Sequence, residues 1–181
     1  MEEIIMDCLF HHGIKGQKWG VRRFENADGT LTEEGKKRYS ALRTRKDVEH
    51  IFGSFSKKDK RLLDAGEDDS EYMSKEAHAY WVVKRFIARE GKTPVAFLDI
   101  LKGQNGEANI ALGTDSRYRN KGYASKVVSK GAKWLDANPD MFTKVNWGAY
   151  KENAASINLA KKSGFVLDKE TDTFATYSRK G

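Results

Sequence analysis

The chain has 181 residues, a formal net charge of +7 and a single cysteine, Cys8. This length suits one domain with a buried core and a short appendage, and a hydrophobic fraction of 39% argues against wholesale disorder. One cysteine excludes an intrachain disulfide framework, and no apolar run approaches the roughly 20 residues of a membrane-spanning helix. The first residues are acidic, with an apolar stretch too short for a secretory signal, so we expect a cytoplasmic protein.

Residues 1–46 differ in composition from the rest of the chain. His11 to Arg23 combines three glycines, four cations and a tryptophan without helical or strand periodicity, which predicts a loop or an extended arm. The neighbouring His11 and His12 lack further spaced ligands, so no metal site is predicted. The segment from His11 to Tyr39 resembles one found near the ends of bacteriophage and prophage proteins of Gram-positive hosts. That resemblance implies viral provenance or a tag for joining a larger assembly, in which residues 1–46 could bind phage structural proteins.

Helical patterns begin after the Asp28–Gly29 turn signal. Thr30 or Thr32 is expected to start a basic helix that runs from Lys36 to Arg45. Four apolar residues then recur at helical spacing and predict a second, short helical stretch. These residues are Val48, Ile51, Phe52 and Phe55.

A further short helix is predicted from Lys57 to Leu63. Ser56 followed by Asp59 is the pattern of an N-cap, in which side chains bond the first backbone N–H groups of a helix. The acidic stretch Gly66–Ser70 comes next. It lacks the periodic partners of a calcium loop, so we interpret it as a solvated connector.

From about residue 80 onward the periodicity changes to that of strands. Runs rich in aromatic and β-branched residues, bounded by turn residues, predict six strands, with helices between the later ones. The predicted strands are 80–88, 94–100, 107–113, 144–150, 165–167 and 174–177, and the predicted helices are 124–135 and 154–163. Antiparallel strands come first, and then a strand–helix–strand–helix–strand unit. This order predicts an α+β or mixed α/β fold.

A basic loop, Tyr118–Ser125, joins the third predicted strand to the next helix. Unpaired N–H groups and the positive end of the helix dipole attract anions at such a position. Gly122 allows close backbone approach, and four cations surround the loop. These cations are Arg119, Lys121, Lys126 and Lys130. The pattern predicts a phosphate or pyrophosphate ligand, although an ordinary basic connection would share much of it.

Two motifs in order then carry a specific resemblance. Arg119–Ala124 has the form Arg-x-x-Gly-x-Ala, and about thirty residues later Asn153–Phe165 has Asn-x-x-Ser and a terminal Gly-Phe. The region 47–178 thereby resembles the GNAT superfamily of acyl-CoA N-acetyltransferases, particularly its ribosomal-protein branch. The resemblance implies a GNAT domain over 47–181, with a twisted, mostly antiparallel sheet flanked by helices, preceded by the arm.

The resemblance also implies an acetyl-CoA site and no metal. Backbone N–H groups of the basic loop are expected to hold the pyrophosphate. The third predicted strand is expected to splay from 145–150 and pair with the pantetheine arm, which Asn153 would also contact. The implied cofactor-binding residues are Leu112, Gly113, Thr114, Arg119, Asn120, Lys121, Gly122, Tyr123, Ala124, Ser125 and Asn153.

The proton-transfer residues depart from the family pattern. Many GNAT enzymes use a tyrosine four residues before the glycine of the second motif as the acid, and here that residue is Ala160. Tyr150 is our first candidate for the acid and Ser156 the second. Glu107 is the first candidate for the base, ahead of Asp99. His78, just before a predicted strand, is interpreted as a surface or packing residue.

The resemblance implies direct transfer of an acetyl group from acetyl-CoA to a primary amine in a ternary complex. The alternative is a phage virion or assembly protein that uses the fold as a binding module, with weak or no catalysis. Nucleic-acid binding rests on net charge alone and is least favoured. Segments 50–76 and 136–143 are expected to contact the acceptor. Their sequence does not indicate whether the acceptor is a small molecule or a protein.

Overall fold

The computed structural model of the chain describes residues 24, 26, 28, 30–63 and 81–180. The predictions for the arm His11–Arg23, the connector Gly66–Ser70 and His78 lie outside these residues. The chain divides into two compact units, Met1–Leu42 and Arg43–Gly181. The predicted domain boundary at 46/47 stays a prediction.

A turn leads into helix α1, Glu33–Phe52, which begins in the first unit and ends in the second. The Asp28 carboxylate accepts hydrogen bonds from the backbone N–H and the hydroxyl of Thr30, at 2.9 and 2.7 Å. The hydroxyl of Thr32 accepts the N–H of Gly35 at 3.0 Å, so Thr32 caps the helix. The two predicted helical stretches form one helix, because no glycine or proline interrupts the chain between Lys36 and Phe52.

Helix α2, Lys57–Leu63, confirms the predicted short helix. Its cap is reciprocal. The Asp59 carboxylate accepts the N–H and the hydroxyl of Ser56 at 3.0 and 2.8 Å, and the Ser56 hydroxyl accepts the N–H of Asp59 at 3.2 Å. This arrangement satisfies backbone donors that a helix start leaves unpaired.

Six strands form one sheet, with the order β1-β2-β3-β4-β6-β5. The strands are β1 Val82–Glu90, β2 Thr93–Lys102, β3 Ala108–Thr114, β4 Lys144–Tyr150, β5 Val166–Glu170 and β6 Phe174–Lys180. Only the pair β3–β4 is parallel among these strands, and the other neighbours are antiparallel. The predicted mixed, mostly antiparallel fold is therefore confirmed.

Helices cover both faces of the sheet. On one face, α3 (Tyr123–Asp136) and α4 (Ala154–Lys162) pack on the main hydrophobic core. A Cβ atom at Gly131 would lie 2.9 Å from Leu98 Cδ2, so glycine lets α3 approach β2 closely. On the other face, Ile51 and Phe52 of α1 pack against Phe97. Because strand side chains alternate between faces, neighbouring residues of a strand contribute to different layers.

Candidate active site

A gap opens between the parallel strands β3 and β4. The two strands pair only at Ala108–Val145 and Asn109–Asn146. Beyond these pairs, β3 stays bonded to β2 as far as Thr114, while β4 stays bonded to β6 as far as Tyr150. The predicted splay is confirmed, and it leaves strand backbone facing the gap.

Tight packing fixes the open end of β3. A Cβ atom at Gly113 would lie 2.4 Å from Cε1 of Phe97 and 3.0 Å from Cζ of Phe55. No larger residue fits there without displacing these rings. Leu112, one residue earlier, packs against the main core on the other face of the sheet. The end of β3 is thus held from both faces.

The buried carboxylate of Asp115 anchors the start of the basic loop. It accepts hydrogen bonds from the backbone N–H, Nε and Nη2 of Arg117, at 3.0, 3.0 and 2.6 Å. The side-chain hydrogen bond from Arg117 is the main cause that holds the pKa of Asp115 below its usual value. The N–H of Ser116 donates to the Ser54 hydroxyl at 3.0 Å, which ties the loop to the turn between α1 and α2.

We expect Asp115→Asn to destabilise the protein by about 2 kcal/mol at neutral pH, because the charge-assisted bonds to Arg117 are lost. Since the folded pKa is lowered, the carboxylate stabilises the fold fully above the ordinary pKa of 3.8 and loses this effect as the pH falls below it. Urea unfolding at pH 7 and pH 3 measures both effects. If the free energies of unfolding of wild type and variant differ as much at pH 3 as at pH 7, the ionised Asp115 carboxylate is not the stabilising group.

The loop then turns into an uncapped helix start. Asn120 and Gly122 have φ angles of 61° and 78°, in the left-handed region that asparagine and glycine tolerate best. Gly122 is the N-cap of α3, and no side chain caps this end. The first intrahelical bond joins the N–H of Lys126 to the Gly122 carbonyl at 3.1 Å. The N–H groups of 123–125 therefore lack intrahelical acceptors and can bind an anion.

Arg119 is directed toward α2. Its guanidinium pairs with Asp59 at 2.8 Å and lies 6.0 Å from the centroid of the Phe55 ring. Partial burial raises the pKa of Asp59, but hydrogen bonds from Ser56 and Arg119 outweigh burial and hold this pKa below its ordinary value. The side chain of Arg119 thus ties the loop to α2, and the backbone N–H groups remain for an anion.

Two other cations of the loop region lie elsewhere. Lys126 and Lys130 line a groove of about 710 Å³ with Lys133 and with residues 87–89 of β1. This groove is at the β1 edge of the sheet, whereas the gap lies between β3 and β4. The structure therefore does not bring these lysines to the gap.

Tyr150 and Asn153 lie together at the open end of β4. The N–H of Asn153 donates to the Tyr150 carbonyl at 2.9 Å, and Asn153 Oδ1 caps α4 by accepting the N–H of Ser156 at 3.1 Å. The amide Nδ2 is thus the donor that Asn153 can offer to a ligand. The half-buried Tyr150 ring has an edge contact with Phe174, with centroids 5.4 Å apart.

Ser156 and Glu107 lie apart from Tyr150. The Ser156 hydroxyl accepts Nε1 of the buried Trp147 at 2.9 Å, and strand alternation puts Trp147 on the opposite face of β4 from Tyr150. Glu107 precedes β3 at the closed end of the gap, where it accepts Nδ2 of Asn146 at 2.7 Å. Asn146 lies four residues before Tyr150, which is roughly 13 Å along the strand, so Glu107 is far from the Tyr150 side chain.

Asp99 lies on β2, which pairs with the side of β3 that faces away from the gap. It is fully buried and forms a bidentate ion pair with Arg85 across β1 and β2. A carboxylate paired in this way stabilises a cross-strand contact and has no solvent route to an amine.

Sequence patterns missed three charged residues at the open end. The guanidinium of Arg61, on α2, lies 5.4 Å from the centroid of the Tyr150 ring and pairs with Glu152. Lys58 lies 4.0 Å from the same carboxylate. The only sequence feature that pointed to these residues was the dense positive charge of Lys57–Leu63, which does not indicate what the cations contact.

Comparison with protein families adds a direct observation. Residues 41–165 match the model of the acetyltransferase (GNAT) family. The chain belongs to the GNAT acetyltransferase family. The prediction of an acyltransferase is confirmed at the level of the family. No curated protein matches the chain significantly.

Solved structures share this GNAT fold. A protein from Streptococcus mutans UA159 aligns with a TM-score of 0.58 and 14% identity over 77% of this chain and 94% of that one. A ribosomal-protein-alanine N-acetyltransferase from Brucella melitensis aligns with a TM-score of 0.50 and 12% identity over 62% and 76%. An N-acetyltransferase from Staphylococcus aureus Mu50 has a TM-score of 0.47 and 19% identity over 53% and 66%. At identities this low, the likeness concerns the fold alone.

Two absences hold for the described part of the chain. None of its helices combines the length and apolar character needed to cross a membrane. Within the same residues, no three His, Cys, Asp or Glu side chains converge on a point where a metal ion could bind.

Proposed function

We propose that this GNAT protein transfers an acetyl group from acetyl-CoA to a primary amine by direct attack in a ternary complex. The observation that carries the proposal is the gap between β3 and β4, which opens beside the uncapped start of α3. A long, anionic thioester cofactor matches both features. Its pyrophosphate needs N–H donors, and its extended arm needs strand backbone.

Each part of the cofactor has a proposed partner. The N–H groups of 123–125 would bind the pyrophosphate, while Gly122 lets it approach the backbone closely. The pantetheine arm would pair with β3 at 112–114 as an additional strand would. Asn153 Nδ2 would donate to that arm from the β4 side. These contacts aim the thioester toward the end of β4.

The proposed reaction has one bond-forming and one bond-breaking event. The neutral amine attacks the thioester carbonyl carbon, a C–N bond forms, and the C–S bond then breaks. Backbone N–H groups of β3 would stabilise the tetrahedral oxyanion. The Tyr150 hydroxyl would give its proton to the departing CoA thiolate, and the proton that the nitrogen loses after its attack, as the amide forms, would restore the hydroxyl through solvent. The proton that the acceptor ammonium releases would pass to solvent, since Glu107 lies at the closed end.

Acetyl-CoA should raise the melting temperature of the full chain. A ligand at 100 times its Kd stabilises the folded state by about 2.7 kcal/mol, which raises the melting temperature by several degrees. Thermal unfolding with and without acetyl-CoA checks this. Incubation of the protein with acetyl-CoA and a bacterial cell lysate, followed by mass spectrometry, identifies acetylated amines. No change at millimolar acetyl-CoA would contradict the cofactor assignment.

One observation favours a second candidate, a GNAT module that binds but turns over slowly or not at all. Ala160 is fully buried in the main core, at the position where many family members carry the acid. Acetyl-CoA binding without acetylation of any lysate amine would support this candidate. Acetylated products at catalytic enzyme concentrations would exclude it.

A further inference from the structure

Helix α2 is attached to both sides of the gap. Toward β3, Asp59 pairs with Arg119 of the basic loop at 2.8 Å. Toward β4, Arg61 pairs with Glu152, two residues beyond Tyr150. The ring of Phe55, just before α2, also lies against the open end of β3. One short helix is therefore bonded to the segments that come after two diverging strands.

We propose that α2 clamps the open end of the gap and that Arg61 is a positioning residue for Tyr150. Its role toward Tyr150 rests on the proposed transfer reaction, but the clamp itself does not. The guanidinium contacts the Tyr150 ring and the Glu152 carboxylate together, so it fixes the ring relative to the chain that leads into α4. A tyrosine that gives a proton to a thiolate needs such a fixed orientation.

The two ion pairs differ in how cleanly they can be tested. Asp59 also caps α2 through Ser56, so its replacement would unfold the helix start as well as free Arg119. Glu152 lies outside α2. Its side chain is 44% exposed, and the side chain of Arg61 is 51% exposed. A half-exposed pair is a weak contact, and removing it should loosen the clamp without unfolding the domain.

Hydrogen exchange of the backbone in the full chain tests the clamp. Glu152→Gln should speed exchange in peptides covering α2 by roughly 2- to 5-fold, as expected for the loss of its exposed ion pairs with Arg61 and, at 4.0 Å, with Lys58. Glu170→Gln is the matched control, because Glu170 is 54% exposed and pairs at 3.0 Å with Lys151, which lies outside α2. The charge swap Arg61→Glu with Glu152→Arg should restore slow exchange only in part, because Lys58 then faces a like charge. Equal exchange in the Glu152 and Glu170 variants would overturn the clamp.

Steady-state rates with an acceptor found in lysate test the positioning role. Arg61→Met should lower kcat on the order of 10-fold, with the KM for acetyl-CoA unchanged within about 2-fold, and Arg61→Lys should recover part of the rate. This role would be overturned if the Arg61→Met variant had a normal kcat, with or without a higher KM for acetyl-CoA. If the wild type acetylates nothing while exchange responds as expected, the clamp stands and the proposed function falls.

Discussion

Gly122→Glu is expected to abolish the rise in melting temperature that acetyl-CoA gives the wild type, through a loss of at least about 100-fold in affinity. A Cβ atom at Gly122 meets nothing within 4 Å, so the new carboxylate would extend into the space before α3. That space is where we propose the pyrophosphate binds. Placing like charges together there costs several kcal/mol, and a 100-fold loss is about 2.7 kcal/mol.

Two variants separate this electrostatic effect from backbone strain. Gly164 also has a positive φ, 83°, with open space around its Cβ position, but it lies beyond the far end of α4. Gly164→Glu should cost similar stability and keep the response to acetyl-CoA. Gly122→Ala adds strain of about 1 kcal/mol without charge and should bind acetyl-CoA within roughly 10-fold of wild type. A full response in Gly122→Glu would refute the pyrophosphate assignment.

The parts of the fold that sequence predicted well depend on local chemistry. Helix α2 begins after Ser56 because its cap residues are three positions apart, and β4 has the predicted bounds, Lys144–Tyr150. The loop that we propose binds an anion was equally visible, since its glycine and the next helix are consecutive in the chain. In each case the interacting groups lie within a few residues of each other, so the pattern itself contains the interaction.

The surroundings of Tyr150 could not be predicted, because they depend on register and on distant contacts. Arg61 and Glu152 are 91 residues apart, and no periodicity joins them. Ser156 and Tyr150 are close in sequence, but Ser156 packs on Trp147, on the other face of β4. Glu107 borders the same two strands as Tyr150 but lies at their paired end, a distinction that only the pairing of β3 with β4 reveals.

Tyr150→Phe is expected to lower kcat by about 100-fold, within the range for loss of a general acid, while the KM for acetyl-CoA and the melting temperature stay near wild type. The phenyl ring keeps its contacts with Phe174 and Arg61, so only the proton donor is removed. Steady-state kinetics with an identified amine, together with thermal unfolding, measure both expectations.

The control for this prediction comes from the other face of the sheet. Tyr177 of β6 is buried and its ring lies 5.8 Å from the Lys161 ammonium, so it too is a tyrosine beside a cation. It pairs in register with Trp147, which puts it on the face away from Tyr150. Tyr177→Phe should therefore leave kcat unchanged. If instead Ser156→Ala lowers kcat and Tyr150→Phe does not, the acid lies on the α4 side of β4, and the thioester must approach from there.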